Sequence, residues 1–122
     1  MAVKPKALLD TVVKALDDGK AVDIRILDVR KLTAMADYMV VATGRSSRQV
    51  KALADQVEEA ARAIKVKPLG VEGQQAAEWV LVDLGDVICH VMQAETWEFY
   101  QLEKLWMPPP RARKESVGEA TA

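Results

Sequence analysis

The six residues Tyr38-Met39-Val40-Val41-Ala42-Thr43 are apolar on both faces of an extended chain. Successive side chains of a strand point to opposite sides, so such a run must be covered from above and below. It reads as a central strand, and the chain that carries it needs layers on both faces of a sheet. Gly44 breaks the strand. Ser46-x-x-Gln49 follows as a capping box, in which each side chain satisfies an amide near the helix start. Val50, Leu53, Val57, Ala61 and Ile64 then form one stripe, which predicts a helix over about 47–65 stopped by Pro68 and Gly70. The strand–helix–strand unit so formed is expected to be right-handed and parallel.

The flanking segments fit the same plan. Pro5 suits a first helical turn, and Leu9, Val12, Val13 and Leu16 follow on one face. Gly19 is expected to end this helix in the left-handed conformation. Val22, Ile24 and Ile26 alternate with Asp23, Arg25 and Leu27 as a half-buried strand. A polar connection, Lys31 to Ala36, has room for a helical turn. Glu78–Val82 and Val87–Met92 are β-rich runs joined by Asp83-Leu84-Gly85-Asp86, a tight hairpin with Gly85 at positive φ. After Ala94 the pattern turns helical, with Trp97, Tyr100, Gln101 and Lys104 along one side and Phe99 and Leu102 along another. The coarse order is αββαβββα. It describes an α+β domain on a single mixed β-sheet with helices on its faces. At 122 residues the chain can bury a core without disulfides or metal. The domain is placed at residues 1–106, and residues 107–122 form a Pro-rich tail expected to be disordered.

Charge along the chain is uneven. Residues 1–67 carry a balance of +4, residues 68–103 a balance of −7 with no Lys or Arg, and residues 104–122 a balance of +2. The seven carboxylates are Glu72, Glu78, Asp83, Asp86, Glu95, Glu98 and Glu103, and Trp79, Trp97, Tyr100 and Trp106 lie among or beside them. A solvated face normally intersperses cations, and aromatic residues favour interface hot spots. This region therefore reads as a grip for a basic protein. It is a poor face for nucleic acid, whose phosphates it repels, so no direct sequence-specific nucleic acid binding is expected. Asp83 and Asp86 also read as ordinary turn residues, and Trp79, which shares the face of Leu81, suits core and contact equally.

Catalytic patterns mostly fail. His90 is the single histidine and has only the adjacent Cys89, the single cysteine, near it in sequence, where zinc needs about four ligands. It reads as a face residue with one hydrogen bond, or else as a partner contact. Cys89 reads as a small buried hydrophobe; a lone cysteine makes no intrachain disulfide, which fits a reducing compartment. Gly44-Arg45-Ser46-Ser47-Arg48 reads as a turn and cap, with anion binding at the helix start as the alternative. It lacks the second Gly and the Lys of a P-loop. A nucleotidyltransferase would need paired carboxylates for Mg²⁺ on the following segment, and Asp55 stands alone there. No metal or cofactor is expected. No run approaches the ~18 apolar residues of a membrane span, and only four residues precede Pro5, so a cytoplasmic protein is expected.

Several motifs agree in order and spacing with one family. They are Ala36-Asp37-Tyr38-Met39-Val40-Val41-Ala42-Thr43-Gly44-x-Ser46-Ser47-Arg48-Gln49-Val50, then Gly70-x-Glu72-Gly73, Glu78-Trp79-x-x-x-Asp83-x-Gly85-Asp86-x-x-x-His90, and Glu95-x-x-x-Phe99-Tyr100-x-Leu102-Glu103-x-Leu105-Trp106. Over roughly residues 5–106 the chain resembles the ribosomal silencing factors, the RsfS or Iojap family. The resemblance implies a non-catalytic translation factor with a nucleotidyltransferase-like fold, commonly a homodimer when free. It implies binding to the large ribosomal subunit through large-subunit ribosomal protein fourteen, blocking association with the small subunit and repressing translation. The absence of an organelle-type leader favours the bacterial version over the organellar ones that act in subunit assembly. The interface it implies falls on Trp79, Asp83, Asp86, His90, Tyr100, Glu103 and Trp106. The alternative is a divergent nucleotidyltransferase-type enzyme binding a nucleotide at the Gly44–Ser47 turn.

Overall fold

In a computed structural model of the 122-residue chain, residues 3–95 are described. The expected last helix and the tail lie outside these residues. Two helices and five strands follow in the order α1 (Pro5–Asp18), β1 (Asp23–Asp28), β2 (Tyr38–Gly44), α2 (Ser47–Ala63), β3 (Gly70–Glu72), β4 (Trp79–Asp83) and β5 (Val87–Gln93). The strands form one mixed sheet in the order β1-β2-β5-β4-β3. Only β2 and β5 pair in parallel; the other three contacts are antiparallel.

Strand β2 is interior, as its two apolar faces require. Val40 and Ala42 join the core beneath both helices, with Leu9, Val12, Leu16, Val50, Leu53 and Val57. Met39 and Val41 point the other way, into a smaller cluster with Leu27, Val29, Ala36 and Met92. Leu27 stands opposite Met39 and is fully buried. Strand β1 therefore buries both faces at its C-terminal end, which a simple alternation assigns to the polar side. Val22, expected on the apolar side, precedes the strand and is half exposed.

The crossover from β2 through α2 leads to β3, which runs in the direction of β2 but lies at the far edge, with β5 and β4 between. The physical reason is burial. Strand β5 carries Val87, Cys89 and Val91 toward the helices and His90 and Met92 away, all buried, so it takes the centre. Strand β3 is three residues long and largely exposed, which suits an edge.

Two local expectations change in detail. Gly19 does not adopt a left-handed conformation; its φ is −84°, and Lys20 takes the positive φ of 65°. Gly19 is small for another reason. A Cβ there would collide with Oε1 of Gln56 and lie 2.6 Å from Cδ2 of Leu53, so glycine lets α2 approach the end of α1. In the capping box, Ser46 Oγ accepts from Gln49 N as expected, at 3.2 Å. The return bond differs: Gln49 Oε1 accepts from Arg45 N, while Gln49 Nε2 donates to the carbonyls of Gly19 and Lys20. One side chain thus fastens the start of α2 to the end of α1. The Lys31–Ala36 connection is a turn, with the amides of Leu32 and Thr33 both donating to the Val29 carbonyl.

Val41 is 1% exposed between two sheet neighbours. Val41→Asp places an unpaired carboxylate there and should destabilise by about 3 kcal/mol or more. Urea unfolding checks this; a midpoint near that of the unsubstituted protein would show that this side of β2 is wet.

Candidate docking surface

Pairing registers define the sheet face turned away from the helices. Val41, His90 and Leu81 lie in one row across β2, β5 and β4; Met39, Ile88 and Asp83 lie in a second; Thr43, Met92 and Trp79 lie in a third. Trp79 and His90 therefore share a face, as do Asp83 and Ile88. Trp79 and Asp83 are four residues apart on one strand, about 13 Å.

The 73–79 turn sets Trp79 in place. Gly73 has φ of 91°, and a Cβ on it would run into the Trp79 carbonyl oxygen. The Gly73 carbonyl accepts from Ala77 N at 2.9 Å, and Gln93 N donates to the Glu78 carbonyl at 3.0 Å. From this position the indole Nε1–H of Trp79 donates to His90 Nδ1 at 2.9 Å, with the two rings tilted at 52°. Because Nδ1 accepts, the neutral imidazole carries its proton on Nε2. His90 is buried, and burial pushes its pKa down to about 4. The imidazole is thus uncharged at neutral pH. Its bond to the half-buried Trp79 fits the reading of a residue with one hydrogen bond.

Asp83 and Asp86 frame the hairpin. Asp83 Oδ1 accepts from Gly85 N at 2.9 Å, and Gly85 takes the expected positive φ, 89°. That bond is the turn role open to an Asp at this position. The carboxylate of Asp86 is exposed, while its carbonyl accepts from the amides of both Asp37 and Tyr38, at 2.8 and 3.1 Å. The hairpin is thereby tied to the start of β2, and Asp37 and Asp86, distant in sequence, meet through their backbones. Nothing in the local pattern around Asp37 announces this contact. Tyr100, Glu103 and Trp106 lie outside the described residues.

The remaining candidate positions have structural roles. Cys89 is buried on the helix side, where burial raises its thiol pKa to about 12, so the reactive thiolate is suppressed. At the Gly44–Ser47 turn, Ser46 caps α2, and a Cβ on Gly44 would lie 3.1 Å from Val50 Cγ2, so glycine serves close packing. Among the described residues, no three His, Cys, Asp or Glu side chains are grouped to hold a metal ion, and no helix is long and apolar enough to cross a membrane.

A family model described as RsfS, ribosomal silencing factor during starvation, matches residues 2–122. The chain is 43% identical over 100 residues to the ribosomal silencing factor RsfS of Haemophilus influenzae, covering 82% of this chain and 98% of that protein. It is 39% identical over 107 residues to the Bacillus subtilis protein of the same name, covering 88% and 91%. A crystal structure of a Chromobacterium violaceum protein superposes with a TM-score of 0.84 at 40% identity, covering 98% of each chain.

The buried imidazole predicts a pH dependence. Its folded-state pKa of about 4 lies below the ordinary 6.5, so the unfolded chain binds the proton more readily between those values. The neutral form's full stability is present above about pH 6.5 and falls as the pH drops toward 4, by about 3 kcal/mol from this group. His90→Gln keeps an oxygen that can accept from the Trp79 indole and has no proton to gain. Unfolding midpoints at pH 7 and pH 4 should separate further for the unsubstituted protein than for the variant; equal separations would mean a solvated imidazole.

Proposed function

The chain belongs to the RsfS (Iojap) family of ribosomal silencing factors, a non-enzymatic family, and we propose from that premise how it silences. It binds the large ribosomal subunit through large-subunit ribosomal protein fourteen and stands where the small subunit would join. Joining is blocked sterically and translation is repressed when nutrients are short. Docking uses Trp79, Asp83, Asp86 and His90, with Tyr100, Glu103 and Trp106 completing the surface. The free protein is a cytoplasmic homodimer, and its sheet is a nucleotidyltransferase-like scaffold put to non-catalytic use.

One observation carries this reading. The chain from 68 to 103 holds seven carboxylates and no cation; its β4–β5 hairpin offers Asp83 and Asp86, and the half-buried Trp79 stands at the other end of β4, on the face that Asp83 shares. A ribosomal protein is a basic partner in an RNA-rich particle, and carboxylates select its cations over the surrounding phosphates. Trp79, held by His90, supplies a rigid aromatic anchor of the kind that carries interface energy.

Sucrose gradients with separated subunits test the proposal. The protein should travel with the large subunit and lower the yield of joined ribosomes. Sedimentation with the small subunit, or unchanged joining at saturating protein, would overturn it. Salt provides a second prediction. Association with immobilised large subunits should slow as the Debye length shrinks from about 10 Å at 0.1 M to about 3 Å at 1 M. A salt-independent on-rate would remove the acidic segment from the docking face.

A further inference from the structure

On the basis of that ribosome-docking reading, we propose that one end of the sheet is a docking edge for a basic protein surface, seated by Leu32, Met35 and Leu69 around Asp37 and Asp86. The edge is defined by topology. Strand β1 ends at Asp28, β2 begins at Tyr38, β4 ends at Asp83, β5 begins at Val87 and β3 begins at Gly70. Asp28, Tyr38 and Val87 lie in one row of the pairing register, and Ile88, Asp83 and Gly70 in the next. The 29–37 connection, the 84–86 hairpin and Leu69 therefore all stand at the same end. The strip crosses five strands, about 19 Å.

Among the described residues, the exposed large hydrophobics are Val22 at 50%, Leu32 at 38%, Met35 at 78% and Leu69 at 73%. A single exposed apolar side chain is ordinary. Here three of the four gather on one edge from two separate segments, while Val22 sits at the other end. Hydrogen-bonded backbone presents them. Leu32 N donates to the Val29 carbonyl at 2.9 Å and Val29 N to the Asp37 carbonyl at 3.0 Å. Met35 N donates to Thr33 Oγ1 at 3.0 Å, and Leu69 N to the Asp83 carbonyl at 2.7 Å.

Charge selects the occupant. The Asp86 carbonyl accepts from the Asp37 amide, which places two carboxylate-bearing residues side by side at the middle of the edge, with Asp83 next to them. Arg30 is engaged by the Asp28 carboxylate and lies 5.5 Å from the centre of the Tyr38 ring; Lys31, next to Leu32, and Lys67, two residues before Leu69, are exposed cations of the same segments. An RNA backbone would meet the carboxylates and leave Met35 and Leu69 without apolar partners. A second copy brought edge to edge about Asp37 and Asp86 would set carboxylates together at the centre. A protein surface with an apolar depression rimmed by Lys or Arg satisfies both features. The docking region thereby gains a part contributed by residues before position 68, outside the acidic segment.

The test uses isolated large ribosomal subunits as the probe and co-sedimentation as the readout. The double variant Met35→Ser, Leu69→Ser should bind about tenfold more weakly or worse, with an unchanged thermal melt because both side chains are exposed. Val22→Ser, the same lesion at the other end, should bind as the unsubstituted protein does. If the double variant melts early, Met35→Lys, which adds a cation at the most exposed of the three sites, carries the same expected loss. Normal binding by the unsubstituted protein together with normal binding by Met35→Ser, Leu69→Ser and Met35→Lys overturns the edge and leaves the docking reading standing. Equal weakening by Val22→Ser also overturns the edge. No binding by the unsubstituted protein overturns both.

Discussion

Strand β2 has no side that can face water. Val40 and Ala42 need the helices, Met39 and Val41 need cover on the opposite face, and both hydrogen-bonding edges are taken by β1 and β5. Most of the architecture follows from meeting these demands. Helices α1 and α2 must lie close together over one face: a Cβ on Gly19 would meet Gln56 and Leu53 of α2, and one on Gly44 would crowd Val50 at the start of α2. Gln49 then converts proximity into register, since one amide group joins Arg45 to Gly19 and Lys20. Buried apolar contact supplies the driving force, and these few polar bonds select one arrangement of the layers.

The opposite face is covered differently. No helix among the described residues lies there; Leu27, Val29, Ala36 and Met92 form a small apolar patch around Met39 and Val41. Beside that patch sits a polar pair, Trp79 and His90. A buried imidazole without a partner would cost free energy, and an indole N–H at a half-buried site needs an acceptor. Each satisfies the other at 2.9 Å. Because burial keeps the imidazole neutral, its Nδ1 is free to accept at physiological pH. The pair therefore aims an aromatic ring at the surface by the same bond that stabilises the core beneath it.

Function in this family needs no reacting group. What the fold supplies is placement. Hairpin, turn and connection are each fixed by backbone hydrogen bonds, so their carboxylates and apolar tips form a surface of defined shape. A rigid surface loses little entropy on docking, so more of its contact energy remains as affinity. In the docking proposed above, long-range attraction to a basic partner would come from the carboxylates, and orientation from the few aromatic and aliphatic side chains of the same surface.

Local chemistry made much of this legible in the residues alone. Both helices follow from apolar spacing, Pro5 and the Ser46 cap; the β4–β5 hairpin follows from Gly85; the interior place of β2 follows from its two apolar faces. Each depends on neighbours within one or two turns of chain; the imbalance of charge between residues 1–67 and 68–103 needs only a count along the sequence. Tertiary structure alone decided that β5 pairs in parallel with β2 and that β3 is carried to the far edge. It also decided that Gly19 serves close approach, that Trp79 bonds His90, and that Leu32, Met35 and Leu69 share one end of the sheet. These depend on which distant segments meet, and that is set by the sum of burial over the whole core, which no local pattern encodes.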